Sequence, residues 1–176
     1  MKKRIHFAAA CISLLIAIPA CAVDKMNDLE IAHTAYTAGS LDIRYAHLAL
    51  ALSENESVRE FAQTMVRDHS AVNEAAGALL AELKASPQDN PLSQALVSGA
   101  EEKRTELSGL RGKAFDCVYA KNELGYHQLV NKTVENNFIP NVTVPQLKSL
   151  LVDALATFKV HQGHAERMVK GLVCSN

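Results

Sequence analysis

The 176-residue chain has no tryptophan, and aromatic residues make up only 5% of it. Its formal net charge is −1. With few rings to stack on bases and no basic stripe to hold phosphates, nucleic acid is excluded as a partner. No stretch alternates apolar and polar residues as a half-buried strand does, which excludes a sheet protein and a membrane-spanning barrel. There is no Gly-x-Ser-x-Gly elbow, phosphate loop or dinucleotide fingerprint, so the enzyme classes built on those motifs are excluded as well. The four cysteines, at positions 11, 21, 117 and 174, form neither a Cys-x-x-Cys redox pair nor a zinc knuckle.

What is present begins with a leader. Lys2, Lys3 and Arg4 precede an apolar run, and Ala20-Cys21-Ala22 supplies a small-x-small cleavage pattern. This reads as a secretory signal over residues 1–22, cut after Ala22, leaving residues 23–176 as one domain. The stretch "IPAC" permits a second reading, a lipoprotein anchored through Cys21. The expected location is the periplasm. Removing the leader takes away three positive charges, so the mature chain carries −4. It also removes two cysteines, and an exported protein with Cys117 and Cys174 remaining most simply carries one structural disulfide.

Alanine, leucine and glutamate in helical periodicity predict an all-α fold. The first long helix covers about Asn27 to Leu52, with Ile31, Ala38, Leu41, Tyr45 and Leu48 on one stripe. The "SENES" turn follows, and Asn55 or Ser57 can cap the second, which carries Val58, Phe61, Met65, Val72 and Leu79. A shorter helix spans about Leu92 to Leu107. The third long helix covers about Lys113 to Asn136, and "NNFIPNVTVP" is expected to break it. Thr143 then reads as the N-cap of a fourth, with Pro145 in its first turn, running to about Val173. Two antiparallel hairpins joined by about 28 residues form a four-helix bundle with a long crossover containing a short extra helix, as in ferritin-like folds. The start of the third long helix then meets the end of the fourth, so Cys117 and Cys174 should pair. Closing a loop of that size stabilises by roughly 3–4 kcal/mol. The mature chain has no transmembrane segment.

Several polar residues lie on the apolar faces. In "RDHS", Asp68, His69 and Ser70 are neighbours, but helical neighbours point about 100° apart and cannot form a hydrolytic relay. His69 falls in the apolar stripe four residues after Met65, with Asp68 on the flank. His161 follows Ala154 and Phe158 inward, and His164 is one turn further. Glu123 continues the line of Asp116 and Tyr119, with His127 one turn on, and Asp42 lies beside Leu41 and Tyr45. His33 and His47 fall on the polar side. Asp42 and His69 are each about eleven or twelve residues from the "SENES" turn, hence at one height in an antiparallel pair. His161 is level with Glu123 on the other hairpin.

These residues support two readings. In the first they are structural pairs, Asp42 with His69 and Glu123 with His161, within a non-enzymatic envelope binding or stress-related protein. In the second, Asp42, His69, Glu123, His127 and His161 bind a transition ion such as iron, zinc or copper. Inward positions within coordination range favour the second. Histidines separated by packed leucines favour the first.

The segments "FAQTMVRDHSAVN", "GKAFDCVYAKNELGYHQLV" and "ATFKVHQGHAERM" resemble the bacterial family catalogued as domain of unknown function 4142. Its members are exported proteins often labelled outer-membrane or ferritin-like. The resemblance implies a ferritin-like bundle of uncharacterised activity, with recurrent polar positions at Asp68, His69, Asp116, Tyr119, His127 and His161. The chain departs from the family in having Asp42 where a glutamate is usual. The paired Glu-x-x-His motifs of di-iron bundles are absent, since Val66, Leu124 and Phe158 stand three residues before His69, His127 and His161.

Overall fold

Asn27 caps the first helix. Its side chain accepts from the Leu29 and Glu30 backbone N–H groups, and Glu30 answers its own N–H at 2.8 Å. This capping box satisfies donors that a helix start leaves orphaned. The computed structural model describes residues 26–172 and Cys174. The 1–22 leader, the cut after Ala22 and the Cys21 anchor lie outside the described residues.

Helix α1 spans Asp28–Leu52 and α2 Glu56–Glu82, the latter capped by Asn55. The crossover carries α3, Pro91–Ser108, capped by Asn90. Gly112, at φ +52, opens α4, Gly112–Thr133. The expected break after Asn136 is not there. Val134–Phe138 widens into a π turn and continues into the three-residue α5, Ile139–Asn141. Pro140 sits at the start of α5, where its missing N–H disturbs little. Helix α6 spans Pro145–Gly171.

Thr143 does not cap α6. Val144 holds that position without a side-chain bond. Instead Asp28, on α1, accepts from the Thr143 N–H at 2.9 Å, its hydroxyl at 2.7 Å and the Val144 N–H at 2.8 Å. A carboxylate brought from another helix thus meets the positive end of α6.

Side-chain contacts fix the topology. Asp116, early in α4, accepts from Ser53 in the α1–α2 turn, and Asp28 meets Thr143 at the other end. Asn90 reaches Glu30 and Thr34 at the start of α1, so α3 runs parallel to α1 and carries the chain back to the α1–α2 turn. The four long helices α1, α2, α4 and α6 therefore run up, down, down and up, each packed on two neighbours. The end of α6 returns to the start of α4, where Cys117 and Cys174 are bonded with Cα atoms 5.6 Å apart. Two apolar clusters form the core. One, near the α1–α2 turn, contains Leu41, Phe61, Met65, Phe115 and Tyr119. The other, near the start of α1, contains Ile31, Phe138, Leu147, Leu151 and Leu155. Gly39 marks a close approach of α1 to α2, since a Cβ there would meet the Asn73 Oδ1 atom at 2.6 Å. Among the described residues, no helix is long and apolar enough to cross a membrane.

Candidate metal centre

Between the two apolar clusters lies a polar layer with contributions from all four long helices. Helix α1 supplies Asp42, α2 His69, α4 Glu123 and His127, and α6 His161, and all five are buried. Helical rise explains their common height, because each lies near the middle of its helix. His69 Nε2 is 3.5 Å from Asp42 Oδ2, and His127 Nε2 is 3.6 Å from the same oxygen. His127 Nδ1 is 3.8 Å from Glu123 Oε2. Ring nitrogens of His69, His127 and His161 lie within 4.8 Å of one another, and so do donor atoms of Asp42, Glu123 and His127. Atoms bound to one ion at about 2.1 Å lie at most about 4.2 Å apart. The cluster is less than an ångström from that limit.

Partners outside the cluster set the tautomers. His127 Nδ1 donates to the Glu123 backbone carbonyl at 2.9 Å, which leaves the lone pair of Nε2 facing the layer. His161 Nε2 donates to Asp68 Oδ2 at 2.9 Å, which leaves Nδ1 free. Arg67 clamps Asp68 through Nε at 2.6 Å and a second nitrogen at 3.1 Å. His69 is held by stacking on Phe158, with ring centroids 4.4 Å apart and planes 13° from parallel. Metal-binding histidines are oriented in this way, one nitrogen tied to a carbonyl or carboxylate and the other left to coordinate.

The remaining donor atoms have no hydrogen-bond partner. Both oxygens of Asp42 and of Glu123, both nitrogens of His69, His127 Nε2 and His161 Nδ1 are buried and unpaired. Each such atom costs about 1–3 kcal/mol in an apolar interior. A layer left like this opposes folding, and a cation held by either group of three would relieve the donors it takes. The donor set therefore fits a metal ion.

A family model described as domain of unknown function (DUF4142) matches residues 17–168. The chain belongs to the DUF4142 family. No curated protein and no solved structure matches it significantly.

In this DUF4142 chain, burial disfavours the charged form of each group in the layer. It pushes the Asp42 carboxyl up to about 8. It also raises Glu123 well above the usual range, with the Asp42 charge adding to the effect. Burial lowers His127 to about 4 and holds His69 well below its ordinary value, with the neighbouring histidines contributing. His161 is lowered by burial too, against the opposing pull of Asp68. The Arg67 hydrogen bonds keep Asp68 ionised below the ordinary carboxylate range, with His161 adding to them against partial burial. All three imidazoles are thus neutral at pH 7 and able to coordinate.

The five residues expected from helical spacing do meet, but not in the expected pairs. Asp42 lies beside His69 as anticipated, although without a hydrogen bond. Glu123 does not pair with His161; it faces Asp42 and His127, and His161 takes Asp68 instead. Asp116 is buried but serves the α1–α2 turn through Ser53, away from the layer. Tyr119 is buried one turn before Glu123, with its hydroxyl unpaired. His164 stays half-buried and outside the cluster. His47 is exposed as expected, whereas His33 is half-buried with Nε2 3.5 Å from Asp89. The role missed in the sequence is that of Asp68. Its signal was an acid on the flank of α2, on the side that faces the histidine-bearing helix.

Proposed function

We propose that this DUF4142 protein is an exported metal-binding bundle that holds one transition ion through Asp42, His69, Glu123, His127 and His161. The observation that carries this is the convergence of unpaired, buried donors from four helices, with two imidazole tautomers set from outside. Mixed imidazole and carboxylate ligands suit iron, zinc or copper(II) better than magnesium or calcium, which take oxygen ligands. Both groups of three donors share His127, which has one free nitrogen, so two separate ions cannot fill them together. The structural reading asks the layer to satisfy itself by hydrogen bonds; among the described residues Asp42 has none, and at Glu123 burial outweighs the contact with Asn122. Export is supported by the charged, apolar leader and its small-residue cleavage site.

The test is metal analysis of protein purified from the periplasm, with intact mass to confirm that the chain starts at Val23. One transition ion per chain is expected. Titration of the metal-free protein adds a second readout. At pH 7 Asp42 holds a proton, because burial raises it to about 8, and burial raises Glu123 as well, so binding should release protons. Affinity should therefore rise with pH up to about 8, the Asp42 value. It should fall in acid as the histidines are protonated. Calorimetry in buffers of different ionisation enthalpy measures the release. Absence of both stoichiometric metal and proton release would sink the proposal.

Asp68 provides a sharper check, since it holds His161 without being a ligand. Asp68→Ala should weaken metal binding about 10- to 100-fold, the usual effect of losing a ligand's outer partner. Its side chain is 23% exposed, so the metal-free protein should change by less than about 1 kcal/mol. A metal affinity equal to that of the unaltered protein would show that His161 does not coordinate.

A further inference from the structure

An apolar cavity of about 50 Å³ lies between the long helices, on the side of the metal layer formed by Asp42, His69 and His127. Its wall includes Ala32, Ala76, Leu92, Leu147, Leu151 and Ala154. Small residues stand where leucines would close the lower core, so the space follows directly from sequence. One water needs about 10–15 Å³ by this measure, so the cavity has room for about three to five water-sized heavy atoms.

The chemistry of the wall selects what can enter. Outside the metal layer, four of its polar side chains are engaged elsewhere. The Thr34 hydroxyl donates to the Glu30 carbonyl at 2.8 Å and Thr133 to the Leu129 carbonyl at 2.9 Å. Tyr126 donates to the Ala38 carbonyl at 3.0 Å, and the Asn73 amide to Ser40 at 3.0 Å. The unpaired polar atoms that border the space are those of the metal layer. With those atoms taken up by a metal ion, a charged or strongly hydrogen-bonding molecule would lose its hydration there with nothing in return. A long acyl chain exceeds the volume.

We propose that this cavity binds a small, neutral, apolar molecule of dissolved-gas size and holds it against the Asp42–His69–His127 side of the metal site. The metal in this statement rests on the function proposed above. So does the exclusion of polar guests from that end, but the cavity does not.

Xenon is the probe, being apolar, neutral and of matching size. Crystals of metal-free and cobalt-loaded protein are pressurised with xenon and the anomalous density is measured. One xenon is expected in the cavity in both forms, about 4 Å from Leu151 and Ala154 side-chain carbons. Ala154→Leu should remove that density while leaving cobalt stoichiometry unchanged. Ala76→Leu serves the same purpose if the first variant does not fold. Cobalt bound with no xenon in the cavity, or with ordered water there instead, overturns the inference and leaves the metal reading intact. Xenon present in protein that takes up no cobalt overturns the metal reading and keeps the cavity. Xenon retained at full occupancy in a folded filling variant also overturns the inference, because the binding space would then lie elsewhere.

Discussion

His69→Ala should remove the metal-dependent rise in melting temperature while changing the metal-free protein little. In the unaltered protein, metal at about 100 times its dissociation constant stabilises by about 2.7 kcal/mol. For a chain of this size that corresponds to roughly 5–10 °C. His69 supplies a donor to the three-histidine group, and alanine cannot replace it. Without metal, both of its ring nitrogens are buried and unpaired. Losing the stack on Phe158 is therefore partly offset by relief of those two atoms, and the net change should stay within about 1–2 kcal/mol. The contrast between the two states is the informative quantity. His47→Ala, on the exposed face of α1, should leave the metal effect in place. Thermal melts of all three proteins with and without zinc decide the matter. A large loss of stability in metal-free His69→Ala, with no metal effect in the unaltered protein, would restore the structural reading of the layer.

Breaking the Cys117–Cys174 bond should have an effect of similar size by a different route. The two cysteines are 57 residues apart in sequence, and a loop of that length stabilises by about 4 kcal/mol through the unfolded chain. Loss of the bond in the double variant Cys117→Ala, Cys174→Ala should lower the melting temperature by roughly 8–16 °C. Metal binding should survive, because Cys117 lies about 15 Å along α4 from His127. Melting curves of the variant, with metal titration below its transition, measure both. An unchanged melting temperature would mean that the end of α6 is held at α4 by packing alone. Lost metal binding in a folded variant would mean that the bond, not the bundle, sets the position of α6.

Much of this was legible because helix geometry is regular. The inward face of each helix follows from apolar residues recurring every three or four positions, as with Val58, Phe61, Met65 and the polar exception His69. Height follows from counting residues away from a turn. Those two rules were enough to place Asp42, His69, Glu123, His127 and His161 in one layer, and to bring Cys117 to Cys174. They do not say which neighbour a side chain will choose. That depends on how far each helix is rotated about its axis and at what angle it crosses the next. A small rotation of α6 decides whether His161 faces Glu123 or Asp68, and it faces Asp68.

The sequence by itself determined the helical class, the hairpin pairing, the disulfide and the membership of the polar layer, since each depends on periodicity and count along one chain. Only the tertiary structure decided what depends on separate segments meeting. Asp28 replaces Thr143 in meeting the N–H groups at the start of α6 because it approaches from 115 residues away. The chain passes through "NNFIP" without breaking, because a π turn precedes Pro140 and places it at the start of α5, where an N–H is not needed. Asp68 and Arg67 orient His161 from a helix that local spacing treats as independent. The cavity exists where small residues of α1 face Ala76 of α2 and Ala154 of α6, and a gap between surfaces is a property of none of them alone.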